Sequence, residues 1–276
     1  EPEDTQDKIL QAMDRRKMSR NASYFAFTAT PKKATLEKFG TRNPDGGFDP
    51  FHLYSMKQAI EEEFILDVLA NYTTYKSYYE VQKSVEANPH FDSEKAHKKL
   101  RTFVESHQQT IDTKAAQMVE HFMANVVAQK KLRGAARGMI VTRNIQSAIR
   151  YFFAVRKHLK ENRASFQAIV AFSGKKTVDG IEHTEDSLNG FPAKDIPDKL
   201  AGRERKPGDP IYKLLIVANK FLTGFDEPLL HTMYVDKKLQ GVLAVQTLSR
   251  LNRCNPKMQK QDTFVLDFYN SAADIK

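Results

Sequence analysis

The sequence predicts an α/β protein built on a mainly parallel sheet, and three observations carry that expectation. Several short apolar runs lack the alternation of a half-exposed strand: Gly138-Met139-Ile140-Val141-Thr142, Ala168-Ile169-Val170-Ala171-Phe172, Leu214-Leu215-Ile216-Val217-Ala218, Met233-Tyr234-Val235-Asp236 and Phe264-Val265-Leu266-Asp267-Phe268. Such runs mark strands buried on both faces. Segments of helical spacing separate some of them, at 145–159 and 242–251, and strands alternating with helices give a sheet covered by helices. The chain is also of ordinary globular composition: of its 276 residues 41% are hydrophobic and 28% charged, neither a disordered nor a membrane signature.

The elements divide unevenly. Asp7-Lys8-Ile9-Leu10-Gln11-Ala12-Met13 reads as a helix, and Tyr24-Phe25-Ala26-Phe27-Thr28-Ala29-Thr30 as an aromatic strand that Pro31 ends. Residues 39–50 are turn-rich (Asn43-Pro44-Asp45-Gly46-Gly47) and read as a loop, while Ile60, Phe64, Leu66 and Leu69 give helical spacing over 56–79. Pro89 interrupts it, and helical spacing resumes over 93–129. The polar, Gly- and Pro-containing stretch 178–210 leaves two alternatives open, disorder or one short helix at 196–200. One confident strand before residue 135 is too little for a sheet. The expected organisation is therefore 1–55 as the remnant of a domain that begins upstream, 56–135 as a helical connection, and 136–276 as an α/β domain.

Composition narrows the function classes. No window approaches the roughly 18 apolar residues of a membrane span. The acidic start Glu1-Pro2-Glu3-Asp4 is no signal peptide. Cys254 is the sole cysteine, and no Cys/His spacing suggests zinc. A cytoplasmic, metal-free reading follows. The formal charge of +9 favours polyanionic partners, nucleic-acid phosphates foremost, although charge alone is a weak hint.

Three segments carry the chemistry. Phe27-Thr28-Ala29-Thr30-Pro31-Lys32 resembles motif III of superfamily-2 helicases, where short hydroxyls at a strand's end couple a nucleotide site to a neighbouring domain; the bland alternative is a strand ending in β-branched residues. Asn219-Lys220-Phe221-Leu222-Thr223-Gly224-Phe225-Asp226-Glu227-Pro228 resembles motif V. A glycine there lets backbone approach a ligand closely, and the bland alternative is a turn leaving a strand. Gln246-Thr247-Leu248-Ser249-Arg250-Leu251-Asn252-Arg253 fits the motif VI pattern Gln-x-x-x-Arg-x-x-Arg. At about 100° per residue, Gln246, Arg250 and Arg253 fall within roughly 60° of one another on a continuing helix, a polar face able to meet phosphate charge. Two arginines alone would be an ordinary solvated face; the preceding motif tips the balance. Thr142-Arg143-Asn144 and Phe172-Ser173-Gly174-Lys175 end two strands, and strand ends of parallel sheets are where open α/β folds bind ligands. Each of those residues is equally a plausible cap or turn former. Gly174-Lys175-Lys176-Thr177 is not a phosphate loop: an extra Lys precedes the hydroxyl, and Ile169 stands where the first Gly belongs. No Asp-Glu-x-His or Asp-Glu-x-Asp tetrad is present for magnesium.

The wording of Tyr24 to Lys32 with Phe39-Gly40, of Phe51-His52-Leu53-Tyr54-Ser55-Met56-Lys57-Gln58-Ala59-Ile60, of 221–238 and of 246–253 resembles the restriction (R) subunit of type I restriction-modification systems. The resemblance is weakest over 89–129 and 178–210. It implies the tail of a first RecA-like motor domain, a helical connection, and a second RecA-like domain at 136–276. It also implies ATP-dependent translocation of double-stranded DNA with methyltransferase and specificity subunits as partners. By resemblance, Gln246, Arg250 and Arg253 are catalytic; Gly224 and Asp226 face ATP; Thr28 and Thr30 couple hydrolysis to movement; Arg143, Ser173, Lys175 and Thr223 touch DNA. ATP and Mg2+ belong to the full-length motor, none being expected on this segment, which lacks the phosphate loop and on that account should not hydrolyse ATP by itself. The competing readings are another superfamily-2 DNA motor and a non-catalytic nucleic-acid-binding domain.

Overall fold

The computed structural model describes residues 24–75, 111–203, 205–271 and 275. The helix expected at 7–13 and the 93–110 part of the long helical stretch lie outside them. The chain forms two compact units, Glu1–Ala59 and Ile60–Lys276.

In the first unit, helix α1 (Lys33–Phe39) starts after Pro31 and is closed by the Gly40 N–H donating to the Leu36 carbonyl at 2.7 Å. The expected loop that follows is a small hairpin, β1 (Thr41–Arg42) against β2 (Phe48–Asp49). Its turn is held by the Asn43 side chain, which accepts from the Gly47 N–H at 2.7 Å, with Gly46 at φ +82°, a conformation glycine adopts without strain. Tyr24–Thr30 is not the expected strand. A strand exists through its ladder partners, and this segment has none among the described residues; its chain bends at Thr30, whose N–H donates to Thr28 Oγ1 at 3.2 Å. Aromatic content reflects fitness for packing on neighbouring strands rather than a backbone preference, and Phe25 and Phe27 are 80% and 95% exposed.

The helix expected over 56–79 is also corrected. Helix α2 (Met56–Glu61) is short, and Glu63 then takes φ +59°. The chain then passes Ile65, which bridges Arg253, and Leu66, whose N–H donates to the Asn252 carbonyl at 2.9 Å, and turns over 68–71 into strand β3 (Tyr72–Thr74).

The second unit is the expected α/β fold. Helix α3 (Ile111–Phe122) is followed by β4 (Arg137–Thr142), α4 (Ile145–Glu161) and β5 (Gln167–Ala171). Next come a hairpin, β6 (Lys176–Val178) with β7 (Ile181–His183), and helices α5 (Glu185–Asn189) and α6 (Ile196–Ala201). Then follow β8 (Tyr212–Val217), β9 (Leu230–Asp236), α7 (Gly241–Leu248) and β10 (Phe264–Asp267). Of the two alternatives for 178–210, order prevails: α5 starts on a capping box between Thr184 and Ser187, and α6 buries Ile196 and Leu200 completely.

Six strands pair in parallel in the order β3-β10-β9-β4-β8-β5. Successive residues of the central strands serve opposite faces. Ile140, Leu214 and Ile216 join Met118, Phe122, Ile149 and Phe152 of α3 and α4 in one core; Met139, Val141, Leu215 and Val217 join Ile196, Leu200 and Leu248 in the other. This two-sided burial is why the strand runs do not alternate. Each fully buried aliphatic or aromatic side chain contributes about 1.5–3 kcal/mol. Gly138 is required by packing: a Cβ there would stand 2.8 Å from Leu214 Cδ2 and 2.9 Å from Phe122 Cε2.

Candidate functional site

Parallel strands bring all their C-terminal ends to one edge of the sheet, and the candidate residues of the second unit gather there. Arg143 follows β4, Ser173 and Lys175 follow β5, and Thr223 lies in the loop after β8; these are three neighbouring strands, β5-β8-β4. All four side chains are exposed. Neighbouring strands lie about 4.8 Å apart, so the loops after β4 and β5 leave the sheet roughly 10 Å apart, with the β8 loop between them.

The loop after β8 is shaped by two left-handed residues, Phe221 (φ +68°) and Gly224 (φ +69°). Leu222 and Phe225 turn inward, and the Phe221 and Phe225 rings pack with centroids 4.6 Å apart. Thr223, Gly224 and Asp226 are thereby left facing solvent. The rigid base of this loop was not foreseen. The Lys220 ammonium donates to both oxygens of buried Glu185, at 2.8 and 2.7 Å, and Glu185 also accepts the Phe172 N–H at 2.7 Å. One carboxylate on α5 thus ties the end of β5, which carries Ser173, to the loop that carries Thr223.

The arginine segment differs from its expected geometry. Helix α7 stops at Leu248, so Arg250 and Arg253 do not continue a helical face with Gln246. Beyond it the backbone turns, with Arg250 N–H to the Thr247 carbonyl at 3.2 Å and Leu251 N–H to the Leu248 carbonyl at 3.0 Å. Tertiary partners outcompete the helix. Arg250 Nη1 donates to the Phe225 carbonyl at 2.7 Å and Nε to the Gln246 carbonyl at 3.2 Å. Arg253 Nε donates to Asp226 Oδ1 at 3.1 Å. The turn is braced from beneath by Lys260, whose buried ammonium donates to the Leu251 carbonyl at 2.8 Å, and from the side by the 63–66 segment. Burial pushes the Lys260 amine down to about 8. It also lowers the Arg250 guanidinium, with the neighbouring Arg253 charge acting in the same direction. Sequence gave no sign of Lys260, one lysine in a basic chain; its signal is burial alone.

The two candidate segments therefore interlock: Asp226 with Arg253, and Phe225 with Arg250. Both members of the Asp226–Arg253 pair are largely exposed, with side chains 67% and 43% accessible. An exposed pair contributes at most about 1 kcal/mol, so a competing anion can take the guanidinium at little cost. Thr28 and Thr30 belong to the first unit, in the exposed bend described above.

Next to Arg143, at the end of β9, stands a group that sequence reading missed. Asp236, with 2% of its side chain exposed, accepts from Tyr151 Oη at 2.8 Å and from Lys114 Nζ at 2.7 Å, and Arg143 Nη2 approaches it at 3.8 Å. Burial first, and the Asp236 charge second, push the Tyr151 phenol far upward. The carboxylate pins α3 and α4 to the strand edge.

Residues 180–270 match the family described as type I restriction enzyme subunit R domain 3. The chain is 23% identical over 267 residues to the type I restriction enzyme HindI endonuclease subunit of Haemophilus influenzae, covering 93% of this chain and 24% of that subunit. It is 23% identical over 258 residues to the SauMRSORF196P endonuclease subunit of Staphylococcus aureus, covering 85% of this chain and 26% of that subunit. This chain resembles the type I restriction enzyme R subunit. It spans about a quarter of the length of the curated relatives it matches. Among solved structures, the ATP-dependent type ISP restriction-modification enzyme LlaBIII bound to DNA aligns with 81% of this chain and 13% of its own at 15% identity and a TM-score of 0.46. Among the described residues, no helix is long and apolar enough to cross a membrane, and no group of three or more His, Cys, Asp or Glu could hold a metal ion.

Proposed function

We propose that this chain is part of the ATP-dependent double-stranded DNA translocase motor of a type I restriction endonuclease. In this reading 136–276 is the second RecA-like domain and 1–55 the tail of the first. The observation that supports it most is the interlock of the 219–228 loop with the 246–253 turn at the C-terminal edge of a parallel sheet, through the Arg253–Asp226 and Arg250–Phe225 contacts. That edge fits the phosphate end of ATP chemically. Two guanidiniums lie close together there, one held among the described residues by an exposed carboxylate and the other by carbonyl groups. Arg250 and Arg253 would meet phosphate charge, and Asp226 would meet a sugar hydroxyl once parted from Arg253. Gly224, exposed and left-handed, lets backbone come close. ATP with Mg2+, gripped mainly by residues outside this segment, supplies the free energy of each step. Arg143, Ser173, Lys175 and Thr223 hold the DNA backbone, the loops of Ser173 and Thr223 being tied together by Glu185. Methyltransferase and specificity subunits complete the assembly, in the cytoplasm.

The test uses the full-length subunit assembled with those partners. Arg253→Ala should cut DNA-stimulated ATP turnover strongly, since arginine fingers contribute about 10³–10⁵ in related phosphoryl transfers, and leave DNA affinity nearly unchanged. Arg250→Ala should act alike, whereas Thr28→Ala/Thr30→Ala should uncouple hydrolysis from translocation more than abolish it. Normal turnover with lost DNA binding in the Arg253 variant would support the plain binding-domain reading instead.

A further inference from the structure

The opposite, N-terminal edge of the sheet carries a concentration of charge that none of these roles uses. A hollow of about 290 Å³ opens there between the segment before β4, the end of α6 and the start of β8. Five basic side chains line it: Arg133, Arg137, Lys199, Arg205 and Lys213. No carboxylate lines it among the described residues.

This cluster is built rather than a brush of mobile surface lysines. Arg137, 7% exposed, is fixed by Nε on the Leu200 carbonyl at 2.7 Å and Nη1 on the Ala135 carbonyl at 2.6 Å. Its remaining nitrogen, Nη2, has no hydrogen-bond partner among the described residues and lies 3.6 Å from where a Cβ on Gly202 would stand; Gly202 itself lines the hollow. Lys213 is held by the Gly134 carbonyl at 2.7 Å and by the Phe166 ring, 5.8 Å from its centroid. Arg133 reaches the rim from a run of left-handed residues, Leu132 (φ +51°), Arg133 (φ +55°) and Gly134 (φ +83°). Among the described acids nearby, the Asp198 carboxylate pairs with Arg203 at 2.9 Å and that of Asp209 accepts the Lys206 N–H at 2.9 Å, while Arg205 Nη1 donates to the Asp209 carbonyl at 3.4 Å. Buried Glu227 acts on Arg137 from outside the lining.

We propose that this hollow binds a phosphate group. Five cations with no lining acid among the described residues exceed what a single carboxylate neutralises, and a planar guanidinium turned to the hollow suits a phosphate's several acceptor oxygens. The volume sits at the lower end of the roughly 300–1,000 Å³ of small-molecule sites, room for a phosphate and a short attachment. Burial depresses both Lys213 and Arg137; the Arg137 charge lowers Lys213 further, while at Arg137 the Glu227 charge opposes the burial and the Arg205 charge adds to it, a cationic crowding that a bound dianion would relieve. The phosphate could belong to a nucleic-acid backbone or to a small phosphorylated molecule, and the experiment separates these.

Inorganic phosphate is titrated into the 276-residue chain at constant ionic strength, followed by calorimetry. Lys199→Ala/Arg205→Ala removes two exposed cations without disturbing buried Arg137. Lys160→Ala/Lys257→Ala, exposed lysines elsewhere, makes the same change in net charge. The expected result is saturable binding by the wild type and the control, weakened at least about tenfold in the Lys199/Arg205 variant, the loss of a charge-assisted contact. Displacement by duplex DNA identifies a backbone phosphate; no displacement identifies a small phosphorylated molecule. Absence of saturable binding, or equal weakening in both variants, overturns the proposal. So does a hollow that takes a poly-glutamate peptide but not phosphate, which would make it a protein-docking surface. None of these outcomes depends on the arginine-finger assignment.

Discussion

Replacing Asp236 by Asn should be among the most damaging isosteric changes in the second unit. The side chain keeps its size, and Tyr151 can still donate to an amide oxygen. Lys114, only 12% exposed, is left with no counter-charge at 2.7 Å. Breaking a buried pair by removing one partner costs about 3–5 kcal/mol, because a charge stays in a place that water reaches poorly. The cost should shrink when the stranded charge goes too, so Lys114→Met in the Asp236→Asn background should recover part of the loss. The coupling between the two substitutions should reach at least ~1.5 kcal/mol. Arg143→Ala probes the same carboxylate from 3.8 Å with 56% of its side chain exposed, and it should cost no more than ~1 kcal/mol. The assay is urea unfolding of the chain followed by far-UV circular dichroism, with the slope on denaturant unchanged if only stability has moved. A loss below ~1 kcal/mol for Asp236→Asn, or strict additivity with Lys114→Met, would refute the assignment of a buried ion pair as the clamp on this edge.

Other outcomes follow from the same structure. Burial, with the His231 charge adding to it, holds His121 down to about 4 against 6.5 for a free imidazole; its stabilising effect is complete above pH 6.5 and falls away as pH drops toward 4. By pH 5 the loss from this group is about 2 kcal/mol, and His121→Gln should make the pH 7.5-to-5 decline in unfolding free energy smaller by that amount. Gly138→Val places methyl groups where Leu214 and Phe122 already stand and should cost at least about 1–3 kcal/mol; Phe122→Leu in the same chain should return some of it, and equal stability of Gly138→Val with wild type would contradict the packing. Binding of duplex DNA should weaken as salt rises, by a slope near −0.9 per phosphate contacted. Arg143→Ala should make that slope about one phosphate shallower without changing sequence preference, and an unchanged slope would remove Arg143 from the contact set.

How much of this was legible depended on where each residue's partners lie. The strands β4, β5, β8, β9 and β10 could be read because a strand buried on both faces must be apolar throughout, and Met139 to Val141 or Leu214 to Val217 show that without reference to any neighbour. The edge strand β3 could not. Tyr72-Thr73-Thr74 is three residues long, follows helix-like spacing, and becomes a strand only because Val265 to Asp267 lie alongside it and Tyr72 Oη reaches Asp267 Oδ2 at 2.8 Å. Tyr24–Thr30 failed in the opposite sense, since its strand-like composition meets no ladder partner among the described residues.

The arginine segment shows the same limit within the site itself. From 242 to 251 the pattern is helical and nothing before Pro256 announces a stop, so extending the helix through Arg253 was the natural local reading. What ends it is supplied from far along the chain. Phe225 offers a carbonyl to Arg250, Lys260 donates to the carbonyl of Leu251, and Leu66 donates to that of Asn252. Each satisfies a polar group without the helical ladder, and together they make the turn at least as well bonded as the helix it replaces. The consequence is functional. On a continuing helix, Arg250 and Arg253 would be carried by α7 alone; on this turn they are also bonded to the 219–228 loop and to the segment entering from Ile60. If the chain is part of a motor, as proposed, and that linkage carries its stroke, weakening it at a distance should register at the arginines. Lys260→Met, which removes the brace on Leu251 and leaves both guanidiniums in place, should lower ATP turnover of the full-length assembly while DNA affinity holds. Lys260→Arg, which keeps a donor, should restore part of it. Turnover unchanged by Lys260→Met would mean that the turn is rigid without its brace, and that the coupling runs through α7 after all.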